Sequence, residues 1–164
     1  MEEKKLKEKE YLNYINGHIM NIRTAYIKYS EKLCKALNIS ERELMCNVTI
    51  HDQSKYFEEE FEGYRQYFYP CSNEKKDEKI FNDAWEHHYN INKHHPEFWV
   101  NEYTNEPEDM PIIYIAEMLL DWEAMSMKFG DNTYEYYMKN RDKKPFSDNT
   151  KKIIDSVIDI FKKE

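Results

Sequence analysis

A chain of 164 residues has the length of one ordinary domain and can bury a core without disulfides. Its 40% hydrophobic and 15% aromatic content excludes a disordered segment, and 3 glycines and 5 prolines are too few for a turn-rich sandwich or barrel. The 32 acidic against 24 basic residues, net −8, argue against a nucleic-acid polymer as partner, and no run of roughly 18 apolar residues is present to span a membrane.

Residues 2–37 read as helix, in one piece or as two meeting at Gly17, because Leu12, Ile15, Ile19, Ile22, Tyr26, Tyr29 and Leu33 recur at spacings of three and four. His18 falls inside that stretch. Ser40 followed by Glu43 is a capping-box pattern that opens a helix through Leu44 and Val48 to His51, ending near Asp52. Phe57, Phe61, Tyr64 and Phe68 then share one side of a helix that stops before Pro70. From Lys76 to Lys93, Ile80, Phe81, Ala84 and Trp85 repeat at helical spacing and carry His87 and His88, and the run closes at His94, His95 and Pro96. Residues 96–110 read as irregular.

Asp109 and Pro111 form an expected N-cap and first turn for a central helix that is apolar nearly all round and contains Asp121. Residues 131–164 supply C-terminal packing helices, one from about Asp131 to Asn140 and one after Ser147 with Ile153, Ile154, Val157, Ile158 and Phe161 inward. The fold expected is all-α, a helical bundle forming a single domain over 1–164. Cys34, Cys46 and Cys71 match no paired-thiolate motif, and MEEKKLKEKEYL lacks the apolar segment of a secretory signal, so the expected location is cytoplasmic.

Five of the six histidines, His51, His87, His88, His94 and His95, crowd into 45 residues on apolar-faced helices or their ends. A single doublet can straddle the edge of a solvated face; two doublets with a His-Asp pair and a downstream aspartate ask for a common cause. Imidazoles joined by a carboxylate suit zinc, iron, manganese or nickel, and the missing thiolates disfavour a structural zinc finger. Asp121 has Glu117, Met118, Ala124 and Met125 as helical neighbours, and a carboxylate in so apolar a run is costly unless paired or bound to a cation. Glu117 reads as an acceptor for the far nitrogen of a ligand histidine. Lys55 and Arg65 are candidate phosphate contacts, Arg65 with no motif behind it and more readily a surface residue. Trp85, Trp99 and Trp122 are candidate walls of a base-sized pocket.

The order His18, His51-Asp52 in HDQSK, a histidine of AWEHH, His94-His95 in HHPE, then Asp121 resembles the HD-domain metal-dependent phosphohydrolase superfamily over residues 14–125. HDQSK and HHPE look most like the HDxGK and HHE segments of its HD-GYP branch, and the chain is also similar to small uncharacterised bacterial and phage HD-like proteins. The resemblance implies a helical bundle with two divalent ions: Asp52 bridging them, His18, His51 and Asp121 on one, the later histidines on the other. It does not choose between His87 and His88. It further implies hydrolysis of a phosphoester, a nucleotide or other small phosphorylated metabolite, with Asp52 and Lys55 carrying the chemistry.

Two departures narrow this. FWVNEY follows HHPE where the branch has its glycine-tyrosine-proline segment, which removes support for a cyclic-dinucleotide substrate, and Tyr14 stands where some relatives carry a glutamate for a third metal. The alternatives are an HD-fold diiron oxygenase resembling myo-inositol oxygenase and a noncatalytic binding or regulatory protein stapled by its metal.

Overall fold

Helix α1 (Glu2–Leu37) runs unbroken through Gly17, the first of the two arrangements the sequence allows. Tyr11, Ile15, His18, Ile22, Ala25, Tyr29 and Leu33 form its buried stripe, and that burial outweighs the roughly 1 kcal/mol helix penalty of one glycine. Asn38 then takes a left-handed conformation (φ 54°) that stops the helix. The computed structural model describes residues 2–162; Met1, Lys163 and Glu164, the ends of the expected 1–164 domain, lie outside the described residues.

Helix α2 (Glu41–Ile50) starts as its cap pattern predicts, with Ser40 Oγ accepting from the Glu43 amide at 3.3 Å. It leads through His51 and Asp52 into a single 3₁₀ turn, Gln53–Tyr56. Helices α3 (Glu58–Phe68) and α4 (Glu78–Ile91) pair closely around Gly63, where a Cβ would lie 2.7 Å from that of Ala84. The segment after α4 is less irregular than expected: a 3₁₀ turn at Pro96–Trp99 and an isolated antiparallel bridge between Val100 and Pro107 order it.

Helix α5 (Ile112–Phe129) is the central element, packed along α1 and also touching α2, α6 (Thr133–Asn140) and α7 (Asp148–Val157). Its N-terminus differs from the expectation. Pro111 occupies the cap position, and the Asp109 carboxylate accepts instead from Ser147 Oγ and Asn149 Nδ2, tying the start of α7 to this loop. Gly130, at φ 87°, ends α5 in the left-handed region that glycine tolerates. Beyond α7 a 3₁₀ turn, Ile158–Phe161, buries Ile158 and Phe161.

The result is a single all-α domain with no strand among the described residues. A large core joins α1, α2, α5, α6 and α7, and a smaller one places Tyr11, Ile15 and Ile19 of α1 against Tyr64 and Ala84. Beside these apolar clusters the domain buries His18, His51, Asp52, Glu60, His88, His94, Glu117 and Asp121.

Candidate metal centre

Segments far apart in the chain supply the site. His18 lies midway along α1, on the stripe facing α5. His51 closes α2, and Asp52 follows in a left-handed conformation (φ 55°, ψ 20°) that costs on the order of 1 kcal/mol for a side-chain-bearing residue. This turn reverses the chain so that adjacent residues His51 and Asp52 both point inward, each about 2% exposed or less. His88 is in the last turn of α4, His94 and His95 precede Pro96, and Asp121 is one turn beyond Glu117 on the same face of α5.

Three groups of ligand-type atoms result among the described residues: two meet at Asp52, and a third, of Glu117 with His51 and His94, shares one histidine with each. In one of the first two, Asp121 Oδ1 lies 3.0 Å from His18 Nε2 and 3.5 Å from His51 Nε2, and the two Nε2 atoms are 3.3 Å apart. The other gathers Asp52, His88, His94 and His95, each offering one atom within 4.8 Å of the rest. Asp52 touches both: its Oδ1 is 3.4 Å from His88 Nε2, 3.5 Å from His94 Nε2 and 3.6 Å from His51 Nε2, and its Oδ2 is 3.4 Å from His18 Nε2.

Asp52 Oδ1 and the Nε2 atoms of His88, His94 and His95 are all buried without a hydrogen-bond partner. One such atom costs about 1–3 kcal/mol, and four around one point are what a cation satisfies. These groups could therefore hold a metal ion. The far nitrogens are held as metal-binding imidazoles require: His51 Nδ1 lies 2.9 Å from Glu117 Oε1 and His88 Nδ1 2.8 Å from Glu60 Oε2, so each ring can donate from Nδ1 and turn Nε2 toward a metal that takes the place of its proton. Glu117 Oε1 also lies 3.3 Å from His94 Nδ1, and its Oε2 accepts from Asn47 Nδ2 at 3.0 Å.

Charge at the centre is strongly biased. Burial opposes ionisation of Asp52 and Asp121, yet the positive groups around them outweigh it and hold both carboxyls well below their ordinary range. Glu117 is likewise held down to about 2 by its imidazole partners against its burial. Burial works against protonating His51 too, but Asp52, Asp121 and Glu117 raise it to about 10. His94 and His95 shift the other way, lowered first by burial and then by neighbouring imidazoles. The ensemble is one that draws in positive charge, from protons or from a metal.

The remaining candidates fall in several places. His87 joins none of these groups: its ring is 34% exposed and its Nδ1 meets Glu60 Oε1 at 2.9 Å. Lys55 Nζ is ion-paired to Asp52 Oδ2, which with that charge keeps the ammonium protonated despite its burial. Arg65 is neither at the surface nor at the centre. It is fully buried, and its guanidinium is taken up by Glu62 and Glu74 at 2.6–3.1 Å. Trp85 and Trp122 do wall a cavity of about 320 Å³ that reaches His95 and Asp121, with Tyr136 and Lys144 opposite. Trp99 does not; its indole N–H donates to the Lys93 carbonyl at 2.8 Å.

Glu60 is the functional-looking residue that sequence reading misses. It sits in an acidic first turn, EEEFE, that reads as solvated, but is fully buried between His87 and His88, with Ser54 Oγ and Asn92 Nδ2 also within 3.3 Å of His88 Nδ1. The available signal was small residues: Gly63 and Ala84 mark a close helix crossing, and Glu60, one turn before Gly63, meets His88, one turn after Ala84.

A sequence profile described as a family of unknown function, DUF5662, matches residues 7–160. No curated protein and no solved structure matches the chain.

Proposed function

This chain belongs to DUF5662, a family of unknown function, and we propose that it is a metal-dependent phosphohydrolase acting on a small phosphorylated compound through a binuclear His/Asp centre. The observation that carries the reading is the single Asp52 carboxylate reaching into both ligand groups while four buried ligand-type atoms around it lack any other partner. The ordered motif resemblance to HD-domain hydrolases supports the reaction class.

His18, His51 and Asp121 would hold one divalent ion, Asp52 would bridge, and His88, His94 and His95 would hold the second; iron, manganese, zinc and nickel all suit such donors. Ions bound there supply a hydroxide near neutral pH and neutralise charge on phosphoryl oxygens. The protein's own part is positioning. Glu117 and Glu60 fix the imidazole rings from behind, so the ligand nitrogens are aimed before anything binds. Lys55, with 15% of its side chain exposed, places a full positive charge beside Asp52, where a phosphate oxygen can take it up. The aromatic cavity beside Asp121 receives the organic part of the substrate and keeps water from it.

Metal analysis of protein purified without chelator, followed by a panel of phosphate monoesters and diesters, tests the reading. Asp52→Asn should lose metal and turnover together, whereas Lys55→Ala should keep the metal and lose turnover or substrate affinity. A fully metallated protein that hydrolyses nothing in a broad panel, or an Asp52→Asn variant with full metal and activity, would overturn it.

A further inference from the structure

Gly17 lies in the middle of a 36-residue helix, where glycine is less favourable than alanine by about 0.5–1 kcal/mol. The usual reasons for a helical glycine are missing. Its backbone is not left-handed, and an added Cβ would meet nothing within 4 Å, in contrast to the crowded Gly63. What the absent side chain does is open a second cavity, of about 250 Å³, between α1 and α5. Asn13, Tyr14, Asn21, Lys128 and His18 line it together with Gly17.

His18, the inner wall of this cavity, is 3.0 Å from Asp121, which borders the aromatic cavity. Met125 lines both and stands between them, with its sulfur 3.9 Å from the Tyr14 hydroxyl. Two cavities thus flank one pair of ligand residues, and their linings differ. The first presents the rings of Trp85, Trp122 and Tyr136, with the Lys144 ammonium offset by the Asp121 and Asp131 carboxylates; the second presents two amides and the Lys128 ammonium, 4.1 Å above the Tyr14 ring, and no carboxylate. A third cavity of about 240 Å³, beside Glu117, lies behind the centre, on the Nδ1 side of His51 and His94 that Glu117 already occupies.

A phosphate monoester has one organic substituent, and a diester has two. We propose that the Gly17 cavity is a substrate subsite and that the centre acts on phosphodiesters with unlike arms: a planar arm against Trp85 and Trp122, and a polar, negatively charged arm between Asn13, Asn21 and Lys128. This rests on the hydrolase reading above. In the reaction the oxygen of water forms a new bond to phosphorus, one ester P–O bond breaks, and the proton of water leaves with the departing alcohol, giving a monoester and an alcohol without any oxidant or reductant.

The test compares two non-hydrolysable probes on the metal-loaded full chain by calorimetry: benzylphosphonate, a monoester mimic, and benzyl(carboxyethyl)phosphinate, a diester mimic with an anionic second arm. The matching esters are assayed for hydrolysis in parallel. The phosphinate should bind at least about tenfold tighter, equivalent to about 1.4 kcal/mol. Gly17→Leu, which fills the groove and should raise the melting temperature, and Lys128→Ala should each remove most of that advantage. Equal binding of the two probes, or an advantage that survives Gly17→Leu at wild-type metal content, overturns the second subsite and leaves the hydrolase reading standing. Failure to bind metal or to cleave either ester overturns both.

Discussion

Replacing Glu117 by glutamine keeps the size of a side chain that hydrogen-bonds both ligand groups from behind. Its Oε1 accepts from His51 Nδ1 at 2.9 Å and faces His94 Nδ1 at 3.3 Å; these rings fall in different groups at Asp52 and meet again with Glu117 in the third. An amide has one acceptor oxygen for the N–H groups of His51, His94 and Asn47, and it brings a donor where the wild type has only acceptors. Losing such an outer partner costs about 10–100-fold in metal affinity, or roughly 1.4–2.7 kcal/mol. Because Glu117 serves rings in both groups, Glu117→Gln should weaken both binding steps in a competition titration with a chromophoric chelator. Glu60→Gln touches only His88 among the grouped rings, so it should weaken one step and leave the other, with the Ser54 hydroxyl oxygen, 3.3 Å from His88 Nδ1, softening the loss. Affinities of Glu117→Gln that stay within about threefold of wild type in a folded protein would refute the claim that this carboxylate holds the rings.

The two helical glycines should respond oppositely to alanine in urea unfolding: Gly17→Ala stabilises by about 0.5–1 kcal/mol, whereas Gly63→Ala destabilises by about 1–3 kcal/mol because its Cβ would sit 2.7 Å from Ala84 Cβ and 2.8 Å from the Ile80 carbonyl. Arg65→Met should lower stability by about 2–4 kcal/mol, less than for a fully enclosed pair since Glu62 and Glu74 can be rehydrated, and should leave metal content and KM unchanged. In the metal-free protein His51 is raised from 6.5 to about 10, so its stabilising contribution is complete below 6.5 and is lost as pH rises through about 10. Glu117, lowered from 4.5 to about 2, contributes above 4.5 and loses that contribution as pH falls through about 2. Melting temperatures of metal-free protein should therefore fall on the alkaline side, and bound metal, which takes the place of the imidazole proton, should flatten that slope.

Local order was legible without coordinates because it depends on near neighbours. Apolar residues at spacings of three and four announced the helices, Ser40 and Ser147 announced two starts, and the apolar run around Asp121 marked α5 as central. The same locality explains where it stopped short: Asp109 looks like a cap until α7 arrives to take its carboxylate, and Gly17 leaves one helix or two open until burial of Ile15 and Ile22 on either side holds one helix together. The residue types of the candidate centre were visible as well, since clustered histidines and a carboxylate in an apolar helix are costly without a shared partner.

Only tertiary packing decided how those groups meet. His87 and His88 are adjacent and diverge by about 100° around α4, so the crossing of α3 and α4 at Gly63 and Ala84 determines which ring turns inward. That crossing also buries Glu60 from an otherwise acidic, solvent-like turn, while Glu62 on α3 and Glu74 in the loop after it enclose Arg65, which is therefore not free for a phosphate. Sequence spacing records the period of a helix but not its rotation against a neighbour, and it is that rotation which turns a list of imidazoles and carboxylates into two groups joined by Asp52.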